Sequence, residues 1–213
     1  MLPKVARWDG IEVFEAALAS RQGVIMIVPH LGSWEMYGQA VGERFVDAHG
    51  PLTALFRPAR KKWMAEVLAG SRDRKGLQTL PTTVKGVRGL MRTLKQGGYT
   101  GILPDQVPPE GLGVWSPFFG REAYTMTLSA RLAQAGRVQI LLSWGERLRW
   151  GRGYRVHVRP FEPLNGGSLA DDPLEAAKQI NRAMEALVRE CPPQYLWSYD
   201  RYKAPRRAAA PPP

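Results

Sequence analysis

His30 follows five consecutive apolar residues, Val24-Ile25-Met26-Ile27-Val28, and a carboxylate, Glu35, stands five positions beyond it. A continuous apolar run bounded by turn residues reads as a buried parallel strand, which places the imidazole at the strand's exit. Catalytic groups of open α/β sheets lie beyond the carboxyl ends of strands. Five helical positions turn through about 500°, so His30 and Glu35 would not share one face of a continuous helix. With His30 in the turn and Glu35 in the first turns of the next helix, the carboxylate can accept a hydrogen bond from one ring nitrogen. That fixes the tautomer and leaves the other nitrogen free as a general base. Gly32 permits the tight turn, and amides at the helix start could hold an anion. The same residues also fit a turn-capping histidine beside a solvated glutamate, and position alone leaves both readings open.

Other chemistries find little support. His49 and His157 are remote in sequence, Cys191 is alone, and no two-histidine helical spacing exists, so no metal site is expected. There is no G-x-S-x-G elbow, G-x-G-x-x-G turn or phosphate-binding loop. A single cysteine excludes an internal disulfide framework and suits a reducing compartment. Thirty Lys and Arg against nineteen Asp and Glu give a charge of +11 over 213 residues. That surplus points to an anionic partner, whether nucleic acid, lipid surface or acidic carrier. No apolar run approaches the roughly 18 residues of a spanning helix, and charges interrupt the N-terminus where a signal peptide would need an apolar core.

The elements around the histidine alternate in type. Helical spacing begins at Ile11, with Asp9 and Glu12 as a capping box. After the Val24–Val28 strand, a helix is expected from Gly32-Ser33 to about Phe45, a strand at Leu52–Phe56 and a helix from Lys61 to about Arg74. Thr82 or Thr83 caps a helix carrying Val84, Val87, Leu90, Met91 and Leu94, which Gly97-Gly98 ends. A strand at Tyr99–Leu103 leads to a long Pro/Gly-rich loop over 104–119, then a helix over about 125–135. Val138–Trp144 and Tyr154–Val158 read as neighbouring strands joined by a basic turn. Asp172-Pro173 opens the last helix, which Cys191-Pro192-Pro193 closes. The pattern predicts an α/β fold, a single domain with a mostly parallel central sheet flanked by helices. The Arg/Ala/Pro tail over 204–213 is expected to be disordered.

Four ordered segments add a resemblance. Val28-Pro29-His30-Leu31-Gly32-Ser33-Trp34-Glu35 resembles the H-x4-(D/E) block of the lysophospholipid acyltransferase superfamily, in the form of the lipid A biosynthesis (lauroyl/myristoyl) acyltransferases. Phe56-Arg57-Pro58 is similar to the second block. Leu103-Pro104-Asp105-Gln106, with the segment from Gly113 to Thr125, is similar to the third. Tyr195-Leu196-Trp197-Ser198-Tyr199-Asp200-Arg201-Tyr202-Lys203 resembles the C-terminal W-x-x-x-R-[FY]-K signature. The blocks cover residues 28–203, so the resemblance implies an acyltransferase domain over 1–203 with a glycerolipid acyltransferase-like fold.

The resemblance further implies that His30 deprotonates an acceptor hydroxyl while Glu35 orients the ring. Arg57 falls where the family has an arginine that stabilises the thioester oxyanion or holds a phosphate. Asp105 and Gln106 fall where it has a polar pair lining the site. The implied partners are an acyl carrier protein as thioester donor (with acyl-CoA as the alternative), an anionic glycolipid acceptor and a membrane surface, with no nucleic acid and no resident cofactor or metal. The implied location is the cytoplasmic face of the inner membrane. The histidine block comes earlier here than in the family, as in a short member or an incomplete chain. Without the family's N-terminal membrane helix, peripheral attachment through basic patches at 57–62 and 72–75 is expected, aided by Trp8, Trp34, Trp63, Trp115 and Trp197. Alternatives are another acceptor (a lysophospholipid, an ornithine lipid or a phosphatidylinositol mannoside) or a non-catalytic basic binder of lipid or nucleic acid.

Overall fold

A computed structural model describes residues 6–56, 76–134, 136–163 and 168–206. Before the first helix the chain makes a strand that periodicity did not suggest, β1 (Ala6–Asp9). Four residues are too few to display a repeat, and β1 exists because it pairs in parallel with a strand some 150 residues later. Asp9 therefore belongs to a strand and does not cap a helix. The cap of α1 (Ile11–Ala19) is Gly10, at φ 82°, where a side chain would collide with the Val158 carbonyl.

The apolar run becomes β2 (Gly23–Ile27), buried along its whole length. Val24, Met26 and Val28 pack with Phe14, Tyr37, Val41 and Phe45 on one face, whereas Ile25 and Ile27 pack with Leu90, Leu94, Leu132 and Met184 on the other. A strand covered on both faces must be apolar at every position, which is why no alternation marks it. The chain continues through α2 (Trp34–His49) to β3 (Leu52–Phe56). It resumes at β4 (Leu77–Pro81), a strand absent from the sequence reading, then α3 (Val84–Lys95) and β5 (Tyr99–Ile102). Thr83 caps α3 as expected, its hydroxyl accepting from the Gly86 amide. The helix expected over 61–74 lies outside the described residues.

The segment expected to be a loop instead holds an antiparallel hairpin, β6 (Gly113–Phe118) and β7 (Arg121–Met126), which shortens the next helix to α4 (Leu128–Ala133). Phe119 and Gly120, both at positive φ, form the two-residue turn that such strands favour. Its Gly, Pro and Ser content concealed it. The chain then forms β8 (Val138–Arg147), β9 (Tyr154–Pro160) and α5 (Pro173–Glu190), which Asp172 caps by accepting from Leu174 and Glu175 amides. The seven-stranded sheet has the order β1-β9-β8-β2-β5-β3-β4. Five strands run one way and the β9–β1 pair runs the other. Helices α1 and α2 cover one face, and α3, α4 and α5 the other. The expected single-domain α/β fold with a mostly parallel sheet is what forms. Among the described residues no helix is long and apolar enough to cross a membrane.

Candidate active site

Strands β2 and β5 are parallel neighbours in a register that places Ile27 beside Ile102. His30 and Asp105 each stand three residues beyond that pair, so equal advances past adjacent strand ends bring them together. The Asp105 carboxylate grips His30 at two points: Oδ1 lies 2.7 Å from the ring Nδ1, and Oδ2 accepts the His30 backbone N–H at 2.7 Å. An ionised carboxylate only accepts, so Nδ1 carries the proton and Nε2 presents its lone pair. The amide nitrogen of Gln106 lies 3.1 Å from Nε2. The His30 side chain is 13% exposed and that of Asp105 2%, so the imidazole reaches solvent while its partner does not. The Trp34 ring packs edge-on against the imidazole at 5.6 Å.

The ring nitrogens thus meet Asp105 and Gln106, and the orienting position expected of Glu35 is held by Asp105. Glu35 is exposed in the first turn of α2. It borders a small cavity of about 120 Å³ whose walls include Val28, Tyr37, Leu52, Leu77 and Leu103, with Trp34 beside it. Trp34, whose ring packs on the imidazole, also lines this apolar slot. Arg57 lies outside the described residues. The amides of Leu31, Gly32 and Ser33 already donate to Pro29, Gln194 and Gly145 carbonyls, so the anion site expected at the turn has its first donors engaged.

The C-terminal segment fastens both the His30 turn and the loop after β5. Leu196 N–H donates to the His30 carbonyl at 3.0 Å and Gly32 N–H to the Gln194 carbonyl at 2.9 Å. The Tyr199 hydroxyl accepts from the Val107 amide at 2.8 Å. Arg201 is 3% exposed and donates to the Tyr124 carbonyl and the Thr125 hydroxyl, tying the β6–β7 hairpin to the same unit. Burial lowers the pKa of its guanidinium, while the charge of Asp105 is among the influences acting the other way. Burial pushes the Tyr195 phenol up, and the negative charge of Asp105 adds to the shift. Tyr195, Tyr199 and Arg201 were visible only as parts of a C-terminal signature, with no role legible from their types.

The family model described as bacterial lipid A biosynthesis acyltransferase matches residues 1–204. The chain belongs to that family. It is 26% identical over 207 residues to the lipid A biosynthesis palmitoleoyltransferase of Escherichia coli K12, across 94% of this chain and 63% of that protein. It is 25% identical over 207 residues to the lauroyltransferase of the same organism, with the same coverage, and 22% identical over 200 residues to its myristoyltransferase, across 89% and 56%. The chain spans about three-fifths of the length of these curated relatives. Against the family's H-x4-(D/E) block, the ring of His30 in this member is held by a carboxylate from the third block, 75 positions away.

A second histidine escaped the sequence reading except as a rejected metal ligand. His157 is buried in β9, its Nδ1 2.9 Å from Asp9 and its Nε2 3.0 Å from Glu146, and its ring stacks on Trp144 at 4.5 Å. Asp9 also pairs with Arg159 at 2.7 Å, so the cluster fastens the edge strand β1 to β9. Among the described residues no group of three His, Cys, Asp or Glu could hold a metal.

Proposed function

We propose that this member of the lipid A biosynthesis acyltransferase family transfers a fatty acyl chain from an acyl carrier protein thioester to a hydroxyl of a lipid A precursor or related glycolipid, at the cytoplasmic face of the inner membrane. The observation that carries the reading is the two-point grip of Asp105 on His30, which leaves Nε2 to serve as a base, with an apolar slot lined by the Trp34 that packs on the ring. Nε2 takes the acceptor's proton as its oxygen attacks the thioester carbonyl. The resulting imidazolium is stabilised by Asp105 through Nδ1–H. Collapse of the tetrahedral intermediate breaks the C–S bond, and the proton on Nε2 passes to the leaving sulfur. Atoms and charge balance without any resident cofactor.

Gln106 holds Nε2 until the acceptor hydroxyl displaces its amide, which then hydrogen-bonds the incoming oxygen. Arg57 supplies positive charge for the oxyanion, a contribution that can reach several kcal/mol. The slot beside Trp34 and Glu35 receives the first carbons of the acyl chain. Glu35, at its rim, organises the entrance. Support also comes from the relatives, named for transfer of palmitoleoyl, lauroyl and myristoyl groups.

The test is transfer of labelled acyl groups from carrier thioesters to a lipid A precursor, with lysophospholipid, ornithine lipid and phosphatidylinositol mannoside as competing acceptors. His30→Ala is expected to remove at least 99% of turnover, since general-base catalysis contributes about 10²- to 10⁴-fold. Wild-type turnover in that variant would refute the mechanism. Product formed only on another acceptor would reassign the substrate.

A further inference from the structure

Three exposed apolar side chains stand at the end of the sheet that carries His30. Trp150 is 86% exposed, Trp197 58% and Leu196 39%. Trp150 occupies the tip of the β8–β9 hairpin at φ 62°, a left-handed conformation that a bulky residue adopts only when its surroundings impose it. Because β8 runs parallel to β2, this tip projects from the same end as the catalytic turn. A reciprocal amide clamp joins the two parts: Arg147 N–H donates to the Gln194 side chain at 2.9 Å, and the Gln194 side chain donates to the Arg147 carbonyl at 3.0 Å. Gln194 and Leu196 in turn bond the turn around His30. The Trp197 indole N–H is satisfied by the Pro192 carbonyl at 2.8 Å, which leaves its exposed ring as apolar surface beside Tyr195 and Phe119.

The charge on the hairpin tip has one sign. Residues 147–153 contain Arg147, Arg149 and Arg152 and no acidic residue, and all three arginines are exposed. Aromatic rings beside arginines form the composition that settles in the headgroup layer of an anionic bilayer. An acidic protein would satisfy the arginines yet leave the apex tryptophan without an apolar host.

We propose that the β8–β9 tip and residues 194–197 form the surface by which this protein docks onto an anionic bilayer, with Trp150 and Trp197 among the headgroups and Arg147, Arg149 and Arg152 on lipid phosphates. This surface differs from the basic patches at 57–62 and 72–75 that the sequence suggested. It deepens the lipid-acyltransferase reading, which gives docking its purpose: a lipid hydroxyl meets Nε2 without leaving the membrane. Vesicle binding itself requires no turnover.

The full chain is sedimented with vesicles of phosphatidylglycerol in phosphatidylcholine and with phosphatidylcholine alone. Wild type is expected to favour the anionic vesicles and to weaken with added salt. Arg149→Ser with Arg152→Ser should bind about 25-fold more weakly, at about fivefold per arginine. Trp150→Ser should weaken binding further, and Trp150→Phe should lose part of the fluorescence quenching caused by brominated acyl chains. These side chains are exposed, so unfolding midpoints should stay at the wild-type value, and His30→Ala should bind vesicles as wild type does even if acyl transfer is absent. Tip variants that sediment with wild-type affinity would overturn the proposal. So would tip variants that keep vesicle affinity but lose turnover with carrier thioesters in detergent, which would mark an acidic-protein interface.

Discussion

Asp105 binds His30 through both a ring nitrogen and the backbone amide, so it sets the tautomer and the position of the imidazole together. Asparagine in its place could still accept the backbone N–H, but its amide could donate to Nδ1 and leave the proton on Nε2, where the lone pair is needed. Asp105→Asn is therefore expected to reduce kcat on the order of 10³-fold with an unchanged circular dichroism spectrum. Glu35→Gln should cost about tenfold or less, a smaller share of general-base catalysis, because the ring bonds go elsewhere. The comparison uses initial rates of acyl transfer for the two purified variants. A reversal of that order would return ring steering to Glu35. His30 was legible because an imidazole after an apolar strand is chemically pointed. Asp105 was legible as a site residue only through resemblance, and its pairing depends on which strand lies beside β2.

At the scale of elements, the turn that carries His30 is a tight seam between β2, the end of β8 and the C-terminal segment. Gly32 is the residue that makes the seam possible: it sits at φ 68°, and a Cβ there would run into the Gly145 carbonyl. Gly32→Ala should destabilise the fold by about 1–3 kcal/mol and move His30 off Asp105. Urea unfolding followed by tryptophan fluorescence gives the first effect, and loss of transfer in protein that remains folded gives the second. An alanine variant with wild-type stability and rate would show that the seam yields easily. Most helices could be read in advance because capping and apolar spacing are local properties: Thr83 caps α3 and Asp172 caps α5. The elements missed were β1 and β4, short segments whose identity comes from a partner elsewhere in the chain, such as β9 for β1, and the β6–β7 hairpin, whose Gly, Pro and Ser content hid a local pairing.

Across the whole molecule, the sheet closes at one edge through Asp9, His157 and Arg159. Hydrogen bonds from Arg159 and then His157 hold the Asp9 carboxyl below its ordinary value of 3.8. A carboxylate with a lowered folded pKa stabilises the fold above its unfolded pKa, and that stabilisation is lost as pH falls through the folded value. Asp9→Asn should therefore lower the urea midpoint at neutral pH, and the gap to wild type should close in titrations below 3.8. A gap independent of pH would assign the effect to packing. By itself, the order of residues determined the α/β class, the capped helices, the central strand and the histidine at its exit, because apolar period, turn chemistry and residue type act over a few neighbours. Which carboxylate holds the ring, where an edge strand pairs, and how a basic hairpin comes to flank the site were decided by tertiary structure. Those features join residues between 47 and 148 positions apart, and strand order alone sets which of them meet.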